Sequence, residues 1–390
     1  MSAPDRPRTR FKSPALPRKA RIGITAAAIL AGALLPLFIE SGGGFIDDAT
    51  LALAYVVMAL GLNIIVGFAG LLDLGYVAFF AIGAYTMGYF GSLFHIEANG
   101  GEGVHILVTG IAAELPGIHL NFLLIVVLAI IATTIAGMLI GLPTLRLRGD
   151  YIAIVTLAFG EIVGRIAING DEITGFGTKL TNGRQGITPV DKIDLPFMDP
   201  FTSLNLRPWY WVAFAMVLIV LFVNFRLRDS RLGRAWIALR EDEVAAVSMG
   251  VPAVKTKLLA YGTGAAFGGV SGAFLGSYLN TVNADQFQFA FSIFVLAMVI
   301  LGGLGSIWGV VVGAIALSFI NNRLIPDVLN DVPSKIGLDF DLTQLSFGIF
   351  GFLLVIMMIL RPEGLIPERR RQIELHEGAE AGESVYAVRQ

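Results

Sequence analysis

The chain has 390 residues, of which 55% are hydrophobic and only 15% are charged, and its formal net charge at pH 7 is −2. Because ordinary soluble domains carry about 25% charged residues, this composition places the chain among integral membrane proteins. The sequence has no cysteine, which excludes disulfide frameworks, thiol catalysis and cysteine-ligated metal sites.

Apolar stretches long enough to cross a bilayer recur along the whole chain. About 20 consecutive apolar residues span the hydrocarbon core as a helix. We therefore predict an all-α integral membrane protein, a polytopic bundle of about ten transmembrane helices. The predicted spans are 22–39, 50–69, 75–94, 121–142, 151–168, 209–225, 258–280, 287–303, 305–320 and 345–360. The sequence GGLGS between the eighth and ninth spans is compatible with a tight turn or with part of a re-entrant segment.

Lysine and arginine residues are concentrated in alternate connections of the predicted bundle. Basic loops stay on the cytoplasmic side of a membrane, so the basic segment 1–21 predicts a cytoplasmic N-terminus. The transmembrane domain at 22–360, with its basic loop 226–257, then leads to a cytoplasmic tail at 361–390. The segment 95–120, which has three glutamates and no lysine or arginine, falls on the opposite side.

The first predicted helix follows a basic segment, an arrangement shared with secretory signals. The apolar stretch from Ile22 to Ile39 is longer than the usual signal core and lacks a clean cleavage site. We expect this helix to be retained as the first span.

The sequence contains none of the catalytic or nucleotide-binding motifs HExxH, GxSxG and GxxxxGK[ST]. His95, His105 and His119 share a predicted outside loop with glutamates, an arrangement that is conceivable for a metal site. Solvated loop histidines are far commoner, so we expect no metal site. We also expect no enzyme activity, no cofactor bound by this chain and no nucleic-acid partner.

Few ionisable side chains lie at membrane depth, although ion-coupled carriers usually place several there. Glu161 and Arg165 stand four residues apart on one face of the fifth span and could pair. We favour an internal ion pair facing the bundle over a substrate or proton site, and Asn63 is a further polar candidate for the translocation path. Without a proton relay or a nucleotide motif, we expect a partner to supply the driving force.

The stretch SRLGRAWIALREDEVAAVSMGVPAVKTK, at 230–257, concentrates charge between two apolar spans and has the pattern of two short helices. Ser230 can cap the first helix and Asp242 the second. Gly250 followed by Pro252 would end the second helix. An apolar face at helical spacing on the first helix is formed by Leu232, Ala235, Trp236 and Leu239.

The second of these helices, EVAAVSM, offers mainly small side chains. Ala245, Ala246 and Ser248 would leave a narrow surface that another protein could approach closely. The alternative is a solvated helix that only joins two spans.

The sequence EVAAVSMG is similar to the cytoplasmic coupling motif of ABC-importer permeases, in which a short Glu-Ala-Ala helix, followed after three residues by glycine, docks on the ATPase. Its AAxxxG portion matches that motif, whereas the glutamate is displaced by one position, since Val244 stands where the family has glutamate. The resemblance implies an ATPase-coupling role for Arg240, Glu243, Ala245, Ala246 and Gly250.

Other blocks resemble one branch of that family, the permease subunits of high-affinity branched-chain amino-acid importers. They are LPTLRLRGDYIAIVTLAFGEIV, LTNGRQGI, RLGRAWIALREDEVAAVSMGV and ILGGLGSIWGVVVGA, and the resemblance covers about 50–365. It implies the ABC-importer permease architecture and leucine, isoleucine and valine as substrates. Permeases for urea and short-chain amides belong to the same group, and TNGRQG departs from the usual Gly-Gly-Pro form, so these substrates stay an alternative.

The resemblance also implies partners. Such permeases assemble in the bacterial inner membrane with a second, related permease, with two cytoplasmic ATPases that use ATP and Mg²⁺, and with a periplasmic substrate-binding protein. An ion-coupled secondary transporter is the alternative of a different class.

Glycine recurs every fourth residue in the seventh and ninth spans. Helices in lipid gain little hydrophobic energy by associating, so faces of small residues matter because they let backbones approach closely. We expect these faces to be buried and favour packing within the chain over contact with the partner permease or the pathway. The residues are Gly264, Gly268, Gly272, Gly276, Gly305, Gly309 and Gly313.

Overall fold

A computed structural model describes residues 18–39, 44–96, 99–145, 147, 151–175, 178–195, 201–329, 345–361 and 363–366. Most of the predicted N-terminal segment 1–21 and of the predicted tail 361–390 lies outside these described residues.

Ten apolar helices lie in the described part of the chain, close to the ten predicted spans, so the predicted all-α membrane bundle is confirmed. They are α1 (Arg18–Phe38), α2 (Gly44–Leu62), α3 (Val77–Phe90), α4 (Phe122–Thr144), α5 (Tyr151–Asn169), α6 (Arg207–Asp229), α9 (Ala253–Tyr278), α10 (Phe289–Gly302), α11 (Ile307–Phe319) and α12 (Ser346–Leu360). Two further short helices, α7 (Arg231–Glu241) and α8 (Glu243–Ser248), connect α6 to α9. The π-helical turns Asn63–Phe68 and Ile320–Leu329 continue α2 and α11.

Six of these helices are long and apolar enough to cross a membrane on their own, namely α2 and α11 with their π-helical turns, α4, α5, α6 and α9. The apolar parts of α1, α3, α10 and α12 are shorter. With 14 residues each, α3 and α10 are roughly 21 Å long, less than the ~30 Å hydrocarbon core. The predicted spans at 75–94 and 287–303 are therefore in part irregular chain.

Helices α3 and α10 begin beside each other inside the bundle. The Val77 amide donates a hydrogen bond to Ser292 Oγ over 3.0 Å. In the segment 69–76 before α3, side chains accept hydrogen bonds from backbone amides. The Leu74 amide, for example, donates to Thr156 Oγ1 over 3.1 Å. Irregular backbone at membrane depth is tolerated where protein buries it; in this segment Asp73, Gly75 and Tyr76 are buried, whereas Gly70 and Leu72 are exposed.

Helix α9 lies at the centre of the bundle, in contact with α2, α3 and α4. The four α9 glycines of the predicted face, Gly264, Gly268, Gly272 and Gly276, are buried against other parts of this chain. A Cβ on Gly264 would come 2.5 Å from Ile65 Cγ1, and one on Gly272 would overlap the Phe80 carbonyl oxygen and lie 2.8 Å from the Ala84 amide. The neighbours of Gly268 and Gly276 are Phe79, Tyr76, Val282 and Met87.

The glycines of the ninth span divide between a helix and a turn. Gly309 and Gly313, in α11, lie buried against the backbone of α10 around Gly302. Gly305 precedes α11 and has φ +83°, so its predicted place on the helix face is wrong. A positive φ favours glycine, and Gly305 therefore forms the tight turn between α10 and α11.

Helices α2 and α9 pack antiparallel. The loops that connect the helices lie in two layers, at opposite ends of the bundle. Ser271 Oγ donates to the Ala54 carbonyl over 2.9 Å, and the Tyr278 hydroxyl contacts Asp47. We call one layer the coupling-loop end, comprising 67–76, 230–257, 303–306, 361 and 363–366. The other is the sheet end, comprising 91–96, 99–121, 170–175, 178–195 and 279–288.

The sheet end contains short strands that join its loops. They are β1 (Gly91–Ser92), β2 (Gly103–Ile106), β3 (Gly117–Leu120), β4 (Thr174–Gly175) and β5 (Thr178–Lys179). The three-stranded sheet has the order β1-β3-β2, with β3 antiparallel to β1 and parallel to β2. Single bridges join Ser92 to Val190 and Ile187 to Val282, so the loops after α3, α5 and α9 meet there.

Candidate coupling site

The stretch 230–257 folds into two capped helices, as its sequence predicts. Ser230 Oγ accepts a hydrogen bond from the Gly233 amide over 3.2 Å and caps α7, and Asp242 Oδ1 accepts one from the Ala245 amide over 2.9 Å and caps α8. These bonds satisfy amides that have no partner within the helix.

Helix α8 ends at a glycine in a left-handed conformation. Gly250 has φ +89°, and its amide donates to the Val247 carbonyl over 2.9 Å. The Val251 amide donates to the Ala246 carbonyl over 3.1 Å. This pair of bonds is the Schellman arrangement, which the predicted stop at Gly250 requires.

Helix α7 is anchored to α9 by its apolar face. The Trp236 side chain is fully buried, and its Nε1 donates to the Thr256 carbonyl over 2.7 Å. Leu239 is also buried, and Leu232 and Ala235 are half-buried on the same face. The predicted apolar face of the first helix therefore packs inside the chain.

Helix α8 presents a different face from the one predicted. Ala246 is only 6% exposed, so the expectation that it is open to a partner is wrong. Val247 and Met249 are 49% and 86% exposed. Which side of a six-residue helix faces inward depends on its contacts with α7 and α9, and these turn Ala246 towards the chain. The exposed α8 face consists of Val244, Ala245, Val247, Ser248 and Met249.

Glu243 joins α8 to the N-terminal part of α9 through an ion pair with Lys257. Its Oε1 lies 2.8 Å from Lys257 Nζ, and the lysine is nearly buried while the glutamate is half exposed. A lysine is seldom buried unless it is paired, so Glu243 compensates the Lys257 charge. Two of the charges in the stretch 230–257, those of Glu243 and Lys257, thus neutralise each other within the chain and need no partner protein.

Arg240, in the last turn of α7, reaches into the membrane bundle. Its Nη1 donates to the Gly67 carbonyl oxygen, in the π-helical turn that ends α2. Asn63, in the same turn, is fully buried, and its Oδ1 accepts from the Gly305 amide over 2.9 Å. The loop between α6 and α9 is thus in direct contact with the interior helices.

A protein-family model of the permease component of branched-chain amino acid transport systems matches residues 45–360. The chain belongs to this permease family. It is therefore a transport subunit and not an enzyme, and with its apolar helices it is a multi-pass membrane protein.

Individual relatives agree with this assignment. The chain is 38% identical over 360 residues to the high-affinity branched-chain amino acid transport system permease protein LivM of Salmonella typhimurium, covering 87% of this chain and 74% of the relative. It is 37% identical over 385 residues to LivM of Escherichia coli, covering 94% and 79%. The permease protein LivH of Escherichia coli is 27% identical over 158 residues, 40% of this chain and 50% of LivH. No solved structure matches the chain.

The permease does not contain the predicted internal ion pair. Glu161 and Arg165 are both exposed on α5, and within the described residues no ion pair joins them. Only 28% of the apolar stretch of α5 is buried, so this face points away from the bundle. A spacing of four residues allows an ion pair along the helix, but it does not determine which face of the helix points into the bundle.

In the 95–120 loop of the permease, the rings of His105 and His119 stack with their centroids 5.6 Å apart, whereas the His95 ring contacts Tyr89 and Phe94. His119 is buried, and its Nδ1 lies 2.6 Å from Asp191 Oδ2, while His105 Nε2 lies 2.8 Å from the Leu115 carbonyl oxygen. Within the described residues no three histidine or acidic side chains are grouped as metal ligands. Burial lowers the pKa of His119, but the hydrogen bond and charge of Asp191 and the Pro116 carbonyl outweigh it and raise the pKa above 6.5.

Sequence reasoning missed Asp73, a buried carboxylate in the segment between α2 and α3. Its Oδ1 accepts from the Gly75 amide over 2.8 Å and so supports the irregular backbone before α3. The signal was present in AGLLDLGY, where one acidic residue interrupts apolar sequence. Asp73 lies between the predicted spans 50–69 and 75–94, where hydropathy gives no reason to expect a buried side chain.

Proposed function

We propose that this permease forms part of the translocation pathway of an ATP-driven importer and carries leucine, isoleucine and valine. Family membership supports the transport role. The single observation that supports ATP-driven coupling is the exposed α8 face, an apolar surface held on an anchored helix pair. Exposed apolar patches on water-facing surfaces commonly mark protein contacts.

We assign the exposed α8 face to contact with a cytoplasmic ATPase. The apolar area of this face comes from Val244, Val247 and Met249. The helix pair α7–α8 is attached to the bundle by the hydrogen bond of Arg240 and the ion pair of Glu243. Two such ATPases would use ATP and Mg²⁺, since this sequence has no phosphate-binding loop. Ala246 supports the contact from inside the chain.

A second, related permease completes the proposed pathway. Similarity to both LivM and LivH, the two permease proteins named for one kind of transport system, supports such a pairing. The open face of α5 supports it physically, because Glu161 and Arg165 would be costly against lipid. These two side chains then face the second subunit or the pathway. Asn63, which is fully buried, is assigned to packing within the chain.

The orientation follows from the basic residues. The coupling-loop end carries arginines in α7 and at Arg361, and we assign it to the cytoplasm with both termini, in the inner membrane of a bacterium. The sheet end, with the acidic loop 95–120, would face the periplasm and receive the substrate-binding protein. The proposed domains are the segment 1–21, the transmembrane domain 22–360 and the tail 361–390.

Transport by the complete complex in lipid vesicles tests the function. The permease, a second permease and two ATPases are reconstituted, and uptake of labelled leucine, isoleucine and valine is measured with the binding protein and ATP. Urea and short-chain amides are compared in parallel. We expect ATP-dependent uptake of branched-chain amino acids, unaffected by a protonophore. Uptake of urea alone would assign the alternative substrates, and uptake that stops with the proton gradient while ATP persists would assign a secondary transporter.

Cysteine labelling tests the orientation, because the native sequence has no cysteine. Glu102→Cys in the acidic loop should react with an impermeant thiol reagent added from the periplasm. Glu241→Cys at the end of α7 should react only after the membrane is made permeable. Both side chains are exposed, so the comparison is matched for accessibility. The reverse pattern would contradict the topology.

A further inference from the structure

The inner part of α2 ends in a π-helical turn instead of a regular helix. The turn, Asn63–Phe68, is buried throughout. Turns of this kind are rare and frequently mark functional positions in a helix. At Gly67 a Cβ would overlap Asn63 Oδ1 and lie 2.7 Å from the Gly305 amide nitrogen. Only glycine therefore allows this turn to pack against the chain that follows α10.

Arg240 binds the carbonyl end of that turn. Its Nη1 donates to the Gly67 carbonyl, and its stem lies across Gly70, where a Cβ would come 2.6 Å from Arg240 Cγ. Gly70 has φ +70°, a conformation that also favours glycine. The last carbonyls of a helix lack donors within the helix and carry partial negative charge, so a guanidinium is a suitable partner.

The same turn contacts the connection between α10 and α11. Asn63 Oδ1 accepts the Gly305 amide over 2.9 Å, and Ser306 caps α11 by accepting the Gly309 amide over 3.1 Å. The Ile366 amide donates to the Gly302 carbonyl over 3.1 Å, which adds the segment after α12 to this layer. A continuous series of hydrogen-bonded contacts thus runs from α7 through the end of α2 to the turn between α10 and α11.

We propose that Arg240 is a positioning residue that transmits movement of the coupling loop to the π-helical turn of α2 and, through Asn63, to the turn between α10 and α11. The proposal rests on the proposed function of the exposed α8 face as an ATPase contact. Arg240 acts through the Gly67 carbonyl and needs no contact with the ATPase itself. Its loss should therefore separate ATP hydrolysis from transport, and leave ATPase binding in place.

The test measures uptake and ATP hydrolysis on the same vesicles that contain the complete complex. In Arg240→Gln, we expect ATP hydrolysis to persist while uptake per ATP falls by about tenfold, the factor expected for losing one hydrogen bond to a charged group. Arg240→Lys keeps a charged hydrogen-bond donor and should restore part of the lost uptake per ATP. The matched control is Arg234→Gln, on the same helix, whose exposed side chain donates to the Asp229 carbonyl over 2.7 Å and should leave the ratio unchanged.

A second variant tests the path beyond Gly67. Asn63→Ala removes the acceptor for the Gly305 amide but leaves Arg240 in place. If the two residues act in one series of contacts, Arg240→Gln combined with Asn63→Ala should lower uptake per ATP no further than the stronger single change. If the two single losses in uptake per ATP multiply in the double variant, the proposed path is wrong. The ratio is measured per assembled complex, so a variant of low yield still gives an answer.

The outcomes separate this proposal from the proposed function. If the unmodified complex shows no ATP-dependent uptake, the proposed function is wrong. If it transports normally and Arg240→Gln has the same uptake per ATP, the proposed function stands and the role of Arg240 is wrong. If Arg240→Gln abolishes ATPase binding, Arg240 belongs to the docking surface, which also contradicts the positioning role.

Discussion

The coupling-loop end and the sheet end both present apolar side chains, but the elements that carry them are held in different ways. At the sheet end, β2 exposes Val104 and Ile106 and pairs with β3. At the coupling-loop end, α8 exposes Val247 and Met249. Behind α8, the side chain of Trp236 is buried against α9.

The support of the sheet end is a network of polar groups around the buried side chains of His119, Asn121 and Asp194. Asn121 Nδ2 donates to the Asp194 carbonyl over 2.9 Å, and the Thr109 amide donates to the Asp194 carboxylate over 2.6 Å. His119 and Asp191 add an ion pair. We infer that the α8 surface is connected to the helices by packed side chains and can transmit force. The sheet end depends on hydrogen bonds and one titratable pair, so it should respond to pH.

The largest expected effect is the loss of the α7 anchor. Trp236→Ala removes a fully buried side chain and should destabilise the permease by about 3–5 kcal/mol, because a cavity remains. The midpoint of thermal unfolding of the purified protein measures this loss. Trp211→Ala, at a side chain that is 42% exposed, is the control and should cost far less. Equal losses would mean that α7 is not anchored as described.

The second prediction compares two neighbouring positions in α8. Val247→Arg places a charge on the exposed α8 face, where water solvates it in the isolated permease, so stability should change by no more than about 0.5 kcal/mol. Association with the ATPase should weaken by about 2 kcal/mol or more. Ala246→Arg should instead lower stability, because Ala246 is buried. Copurification and thermal unfolding measure the two effects, and the opposite assignment would contradict the described face.

A smaller effect is expected at the end of α8. Gly250→Val forces a β-branched residue into a positive-φ conformation, and this should raise the conformational energy of the α8 end by about 1–2 kcal/mol. No side chain lies within 4 Å of the Cβ position, so backbone conformation alone sets this cost. Gly250→Asn, which tolerates that conformation better, is the control. Uptake equal in both variants would show that the helix end does not matter for coupling.

The smallest expected effect is a pH dependence of the sheet end. The folded pKa of His119 is raised by Asp191 and Pro116 against the opposing effect of burial. The stabilisation is therefore complete below the unfolded pKa of about 6.5 and is lost as the pH rises through the raised folded pKa. Hydrogen exchange of the β3 amides, followed across this range, should accelerate with rising pH beyond the intrinsic rate.

Two variants check that this dependence belongs to the pair. His119→Gln and Asp191→Asn should each flatten the extra pH dependence, since either change removes one charge. If exchange in these variants keeps the pH profile of the unmodified permease, another group controls the sheet end.

The helices of this permease were predictable because their signals are local. Apolar length located ten helices, and a serine, an aspartate and a glycine predicted where α7 and α8 begin and end. Each of these signals acts within one or two turns of the residue that carries it. The shortness of α3 and α10 was not predictable, because hydropathy does not distinguish helical from irregular apolar chain buried in protein.

The candidate site was predictable in position but not in orientation. Ala246 was expected to face a partner and is buried, and Glu161 and Arg165 were expected to face the bundle and are exposed. For a helix with small or mixed side chains on several sides, the sequence pattern alone does not choose the inward face. The neighbouring helices choose it, by the area that they bury.

What the sequence by itself determined was the membrane class, the approximate places of the helices and the capped ends of α7 and α8. Only the tertiary structure decided which residues connect that loop to the bundle. Arg240 and Gly67 are 173 positions apart, and the nearer pair Trp236 and Thr256 meet only because the chain reverses between α8 and α9. Hydrophobicity and capping depend on each residue and its near neighbours, whereas the bond from Arg240 to the Gly67 carbonyl exists only once tertiary packing has brought α7 beside the end of α2.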